Sequence, residues 1–366
     1  MSIVDTYLAT DTGTRTGLMN DFIQAEIALV TNDVSVCSYV LPAQNYSISD
    51  FQRDYRIEIE RNGVLLGNTP FLIRKVEKIL NTRGEKFISL VGYSGVDLLR
   101  RRITAYFSTA SGKATWTDSP DDIMKAIIRY NLGANYNDAD RDITPTNITS
   151  YFTVAADTGV IAFTTKSASR KNVLTVLQEL ASDAWQAGEW LGFDVVYNSI
   201  YKLEFRTYPG QLGADRTAGA SALIFSPDFG NLIDVKRTWD WTTEITVAIA
   251  AGEGDKASRV VKTAQERETE SIFNWIEDLV DVRDIQANDN AVQAEADAGV
   301  REGRPRDILT ARVVDTTGIK FQRNWNRGDL VLIDFENERF NARIDAVRIQ
   351  LNQGGYEAID AGLAIE

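Results

Sequence analysis

The chain of 366 residues contains no histidine and a single cysteine, Cys37. Without histidine, the commonest general base, the commonest zinc ligand and the usual switch near neutral pH are all missing. Ser-His-Asp triads, Cys-His dyads and histidine-based metal sites are excluded within the chain. One cysteine cannot build an internal disulfide framework, which points to synthesis in a reducing cytoplasm and to a buried free thiol. Long apolar runs are missing too. No stretch approaches the roughly 18 residues that a spanning helix needs, and the opening MSIVDTYLATDTGTRTGL lacks the basic start and apolar core of a signal peptide. Positive charge is scarce: 39 Lys and Arg stand against 52 Asp and Glu, a net charge of −13. Phosphate-gripping surfaces depend on clustered cations, so binding to DNA is not expected. An acidic surface beside DNA is useful only where DNA must slide past without sticking.

What is present is ordinary globular material, 44% hydrophobic and 25% charged, enough for two or three domains at roughly 100–200 residues each. The first hundred residues read as β structure. FIQAEIALV (22–30), SVCSYVLPA (35–43) and YRIEIE (55–60) alternate apolar and polar residues, as sheets with one wet face do. Asn62-Gly63 is a strong hairpin turn signal. GVDLLRRRI (95–103) reads as a short helix.

Between about 105 and 220 the texture becomes α+β. SPDDIMKAIIRYNLG (119–133) has Ser119 at the N-cap, Pro120 in the first turn, Asp121 and Asp122 against the dipole and Gly133 after the end. RKNVLTVLQELASDAWQAG (170–188) places Leu174, Leu177, Ala181, Ala184 and Trp185 on one face. A hairpin, 191–197 with 201–208, follows. Strands return over 222–255. The most acidic stretch comes next, thirteen Asp and Glu against six Lys and Arg between Glu253 and Glu302. Within it, IFNWIEDLVDVRDI (272–285) fits strand or helix, and NDNAVQAEADAGVREG (288–303) reads as a helix stopped by Gly303 and Pro305. ILTARVVD (308–315), NWNRGDLVLIDF (324–335) and a closing hairpin are β again. No linker is rich in Gly, Ser or Pro, so the parts are expected to pack together.

Motifs with chemistry are few. VAIAAGEGDKASR (247–259) is neither a dinucleotide fingerprint nor a P-loop, because no G-K-[ST] follows and Glu253 and Asp255 would repel phosphate. NDADRD (137–142) spaces Asp138, Asp140 and Asp142 like a calcium loop but lacks the sixth-position glycine and has Thr149 at position twelve, so a solvated loop is expected. Ser94 in GYSG has no histidine to activate it. Acidic pairs able to hydrolyse sugars are not singled out by spacing. No cofactor is implied. The basic run Arg100-Arg101-Arg102 reads as a solvated or interface-facing helix end. Seven tryptophans, among them Trp239, Trp241 and Trp325, read as core or subunit contacts before a sugar platform.

One pattern recurs. FLIRKVEKILNTRGEKFISLVG (71–92) and FNARIDAVRIQLNQGGYEAIDAG (340–362) both open Phe-x-x-Arg, at Phe71 with Arg74 and at Phe340 with Arg343. Both alternate into a turn with glycine, Gly84 or Gly354 and Gly355, and out along a second strand. The match slips by one residue before the glycine, as a β-bulge allows. Either the two terminal β regions are related barrels, or two amphipathic hairpins look alike by chance.

A series of stretches resembles the tail-hub proteins of long-tailed bacteriophages, which also form the structural N-terminal part of tail-associated lysins. They are SYVLPAQN (38–45), FLIRKVEKI…SLVGYSGVDLLRRRI (71–103), VLQELA (176–181) before GFDVVY, LIFSPDFGNLIDVKRT (223–238), AGEGDKASR (251–259) and GDLVLIDFENERFNARIDAVRIQL (328–351). The resemblance implies a mainly β fold with α+β insertions: two β-barrel-like tube domains plus two peripheral insertion domains. The boundaries expected are 1–104 for the first tube domain, 105–220 for the α+β insertion, 221–260 with 304–366 for the second tube domain, and 261–303 for the acidic, partly helical insertion. It further implies a structural virion protein without enzymatic activity, assembled in the host cytoplasm and located at the distal tail tip. Three copies would close into a ring that lines the DNA channel and adapts threefold to sixfold symmetry. The implied partners are a distal tail protein or tail-tube hexamer, the tape-measure protein and a tail fibre or receptor-binding protein, while DNA passes through without specific binding. Phe71, Arg74, Phe340 and Arg343 become the ring-interface candidates. The chain stops at Glu366 directly after the last β region, so an appended wall-digesting module is not expected. A carbohydrate-binding adhesin and a carboxylate-based cell-wall hydrolase are the rival readings.

Overall fold

The computed structural model describes residues 3–104, 114–132, 151–168, 170–199, 201–254, 258–266, 273–282, 289–316 and 318–365. The NDADRD stretch and Gly133 lie outside them.

The first β region comprises β1 (Val4–Ala9), β2 (Arg15–Leu18), β3 (Gln24–Val30), β4 (Val36–Pro42), β5 (Arg56–Arg61), β6 (Val64–Leu65), β7 (Phe71–Leu80) and β8 (Lys86–Ser94), closed by the short helix α1 (Asp97–Arg100). Alternation has the expected effect. Along β3, Ala25, Ile27 and Leu29 are buried, and along β4, Cys37, Tyr39 and Leu41 are buried. Asn62 and Gly63 both take positive φ, 53° and 78°, at the tight turn between β5 and β6.

The first insertion holds β9 (Ala114–Asp118), α2 (Pro120–Asn131), β10 (Phe152–Val154), β11 (Thr164–Ala168), α3 (Val173–Gln186), β12 (Leu191–Ser199) and β13 (Lys202–Pro209). The apolar faces of α2 and α3, including Ile123, Ile127, Leu174 and Leu177, share one core with Phe193 and Phe205, and Val96 and Leu99 of the α1 segment join it. Trp185, expected on the buried face of α3, is instead 49% exposed.

The later strands are β14 (Ile224–Phe225), β15 (Leu232–Asp240), β16 (Val247–Ala251), β17 (Val261–Gln265) and β18 (Glu277–Asp281). After the helix α4 (Asp289–Glu302) come β19 (Arg306–Val313), β20 (Leu330–Phe335), β21 (Glu338–Asn352) and β22 (Glu357–Ile365). The ambiguous 272–285 stretch thus supplies a strand. The chain divides into two compact units, 1–235 with 311–364, and 236–310. In the second, β17, β16 and β18 form a small sheet in that order, with Val292 and Ala296 of α4 packed on Ala250.

The large sheet has fourteen strands, with the path β15-β19-β22-β21-β3-β4-β8-β7-β5-β1-β2, β20 pairing with β21 and β14 pairing with β20. The fold is mainly β, as expected. No sheet among the described residues closes into a barrel, which corrects the expectation of two barrel-like domains taken literally. The reason is visible at β3: its outer edge is occupied by β21 over seven residue pairs, so the first region cannot close on itself.

Candidate assembly interface

The strand order of the large sheet repeats. In the first region five strands lie side by side as β5-β7-β8-β4-β3, and in the last as β20-β21-β22-β19-β15. Taken in chain order, β3, β4, β5, β7 and β8 correspond one for one to β15, β19, β20, β21 and β22. The insertions fall between β8 and β14 and between β15 and β19.

The hairpin tips match atom for atom. Asn81 N donates to Glu85 O and Gly84 N to Asn81 O; Asn352 N donates to Tyr356 O and Gly355 N to Asn352 O. The Asn81 side-chain oxygen accepts from the backbone of Arg83 and Glu85, and that of Asn352 from Gly354 and Tyr356. Gly84 and Gly355 hold φ at 81° and 74°, a region that costs other residues dearly. At the other end Arg56 pairs with Leu72, and Leu330 with Arg343. Leu72 therefore corresponds to Arg343 and Phe71 to Ala342.

The Phe-x-x-Arg echo is consequently two residues out of structural register. A shift of two keeps every side chain on its own face, so the sequence pattern could not reveal it. The irregularity in β7 is real: the β7–β8 register shifts between Ile73 and Lys75, at Arg74.

The four candidate residues differ in what they touch. Phe71 is fully buried, its Cβ so close to Gly92 that an added Cβ there would lie 3.0 Å away. Arg343 is also buried, stacked at 4.4 Å over the ring of Trp190. Phe340 is half-buried opposite Ile333. Arg74 reaches the surface, where it pairs at 3.0 Å with Asp54, which Arg101 also holds at 2.9 Å.

The internal joint shows what an edge of this kind binds. β3 and β21 run antiparallel from Ala346 opposite Val30 to Asn352 opposite Gln24. Ile27, Leu29, Val347, Ile349 and Leu351 bury one face of that joint, each worth roughly 1.5–3 kcal/mol as an upper estimate. On the other face Arg348 holds Glu26 at 2.7 Å. The matching positions elsewhere are open. Among the described residues, β7 beyond Leu72 has a strand only on its β8 side, and β15, the counterpart of β3, ends the sheet path. Both edges carry exposed apolar groups, Ile79 and Leu80 on β7 and Ile233 and Trp239 on β15. Unpaired strand edges can accept a further strand, and the charges on these two, Lys75, Glu77 and Lys78 on β7 and Asp234, Lys236 and Arg237 on β15, restrict which strand fits.

Other sequence features are absorbed structurally. Arg100 and Arg101 both pair with Asp97, and Arg102 donates to Asn131 O. Ser94 is buried and accepts from the Ser35 backbone. Cys37 is buried, and desolvation pushes its thiol well above the ordinary range. Trp325 is fully buried between Phe225 and Phe321, whereas Trp239 and Trp241 are exposed. No group of three or more His, Cys, Asp or Glu placed to hold a metal occurs among the described residues.

Ser119 sits at the start of α2, but its hydroxyl faces Asp121 and Ile161 N rather than capping the helix. Asp121 and Asp122 do more than oppose the dipole: Lys125 Nζ lies 3.1 and 2.9 Å from them, fully buried. Burial alone would push the Asp121 carboxyl up. Hydrogen bonds from Ser119, Thr158 and Lys125, with the charge of Lys125, outweigh burial and hold it below the usual carboxylate range. A depressed carboxyl contributes stability above its unfolded value of about 3.9 and loses it as pH falls through the native value. The protein is expected to hold its urea midpoint down to about pH 4 and lose stability below; Asp121→Asn should flatten that acid limb, which circular dichroism would read.

The family model described as Siphovirus ReqiPepy6 Gp37-like protein matches residues 5–363. No curated protein matches. Among solved structures, a tail protein from Neisseria meningitidis MC58 superposes with a TM-score of 0.60 at 13% identity, covering 100% of this chain and 96% of that one. The 43 kDa tail protein of prophage MuSo2 from Shewanella oneidensis gives 0.59 at 10% identity, with 100% of both chains covered. Prophage tail protein gp18 from Listeria monocytogenes EGD-e gives 0.52 at 12% identity, covering 98% and 94%. At these identities the likeness is one of fold.

Proposed function

We propose, from the premise that this chain belongs to the Siphovirus ReqiPepy6 Gp37-like protein family, that it is a structural protein of a phage tail and acts as a trimeric hub at the distal end. The observation that carries this is the repeated strand order joined edge to edge by β3 and β21, with the equivalent edges of β15 and β7 left open. A heterologous contact of β15 on β7 of the next copy would repeat the internal joint, and such contacts close into rings when the rotation permits. Three chains then supply six similar modules, which suits a sixfold tail tube on one side and a tail tip or fibres on the other. Tail proteins of prophage origin share the fold. The net charge of −13 suits a conduit along which DNA and a tape-measure protein pass without adhesion. Assembly, not covalent chemistry, is the function on this reading.

The test is the mass of the purified chain in solution, with images of the particles. Three chain masses and a ring with a central opening are expected. A monomer at every concentration, or a closed oligomer without a lumen, would remove the basis for a hub.

A further inference from the structure

Among the described residues, the second unit carries an open edge of its own. In its small sheet, β16 is central, parallel to β18 and antiparallel to β17. Helix α4 covers the face that carries Ala250 and is buried there with Val282, Val292 and Ala296. The opposite face carries the row Thr263, Ile249, Leu279 and the row Val261, Ala251, Asp281. On it Leu279 is 60% exposed and Val261 51%. Just ahead of β18, Phe273, Trp275 and Ile276 are exposed as well. Among the described residues β18 has a strand on its β16 side only. Soluble proteins blunt such edges with charge or proline and seldom gather large apolar groups beside them.

The charge around this edge chooses between occupants. Glu277 and Asp278 are exposed on β18 itself, within a stretch of net charge −7 from Glu253 to Glu302. Two copies of β18 laid edge to edge would bring these carboxylates together, which disfavours a second copy of this chain. Leu279 and Asp278 point to opposite faces of β18, so a strand with apolar side chains beside Leu279 on one face and cations beside Asp278 on the other meets both requirements. We propose that β18 accepts, by strand addition, an extended segment of another protein in which apolar residues alternate with lysine or arginine. This surface is separate from the β7 and β15 edges and does not depend on a ring forming.

The experiment uses the full chain and a labelled peptide of alternating valine and lysine, read by fluorescence anisotropy and by hydrogen exchange of residues 277–281. Binding is expected, with protection of those amides, and Leu279→Ser should weaken it about tenfold. Val261→Ser, on the far strand, should leave it within about twofold. A peptide of valine and glutamate, or of serine and lysine, should bind far less. The proposal is overturned if the valine–lysine peptide does not bind, if either control peptide binds as well, or if 277–281 gain no protection. It is equally overturned if Val261→Ser weakens binding as much as Leu279→Ser, since the partner would then lie on the face. Self-association lost in Leu279→Ser, with no peptide binding, would assign the edge to a second copy instead.

Discussion

Arg61→Met is expected to lower the unfolding free energy by roughly 3–5 kcal/mol, the cost of removing one partner from a buried charge cluster. Arg61 ends β5 with only 3% of its surface exposed. Its guanidinium reaches Glu357 at 2.7 and 3.0 Å, Asp315 at 3.1 Å and the Phe321 carbonyl at 2.8 Å, and it lies 5.5 Å from the centre of the Phe321 ring. One side chain of the first β region thus anchors the start of β22 and the loop before β20. Methionine fills similar space but removes the guanidinium that Glu357 and Asp315 share. Most of the loss should come from part-buried carboxylates deprived of that cation rather than from the bond itself. The double variant Arg61→Met with Glu357→Leu should therefore regain part of it, and Glu357→Gln alone should cost about 1 kcal/mol, since Asp315 and the carbonyl remain. Urea midpoints at constant m-value would read all three. A loss below about 1 kcal/mol for Arg61→Met would mean the cluster is solvated and does not tie the two regions.

Nothing in RIEIERNG marks Arg61. It is a charge at the end of a strand, and its partners lie more than 250 residues away in the chain, so only the folded topology discloses it. The same is true of β1 and β2. β1 carries Thr6 into the core, where its hydroxyl meets Tyr39 Oη at 3.1 Å, which interrupts the apolar alternation. β2 is exposed along its whole length, so burial leaves no imprint on its sequence. By contrast β3, β4, β8 and β13, and helix α3, were legible because each buries one face with the period of its backbone. β7 buries only its first three residues, and β12 is buried on both faces through Tyr197. α2 was legible from Pro120 and the acidic first turn. The terminal echo was legible as a likeness and misread in register, because the tip asparagines and glycines, not the phenylalanines and arginines, occupy equivalent places.

That register decides the second large effect. On the proposed ring, Lys78→Pro is expected to convert the trimer to a monomer while leaving the folded chain nearly as stable as before. Asn81 N points at β8, since it donates to Glu85 O. Backbone N–H groups alternate along a strand, so those of Ile79 and Glu77 also face β8, and those of Leu80, Lys78 and Val76 face the open edge. The second hairpin agrees: Asn352 N donates inward to Tyr356 O, whereas Gln353 N donates to Ile23 O across the β3 joint. Proline at 78 removes a donor that no strand among the described residues uses, and edge strands tolerate this. An incoming β15 would lose that bond and meet the pyrrolidine ring. Ile79→Pro is the contrast, because it removes a donor to β8 and should cost about 3 kcal/mol in folding. Light scattering for mass and urea unfolding for stability separate the two. A Lys78→Pro protein that remains trimeric at the wild-type concentration would show that the β7 edge is not where copies meet, whatever the oligomer. One that unfolds like Ile79→Pro would show that the edge is already occupied within the chain, and six modules could not then be joined by repeating the β3–β21 contact.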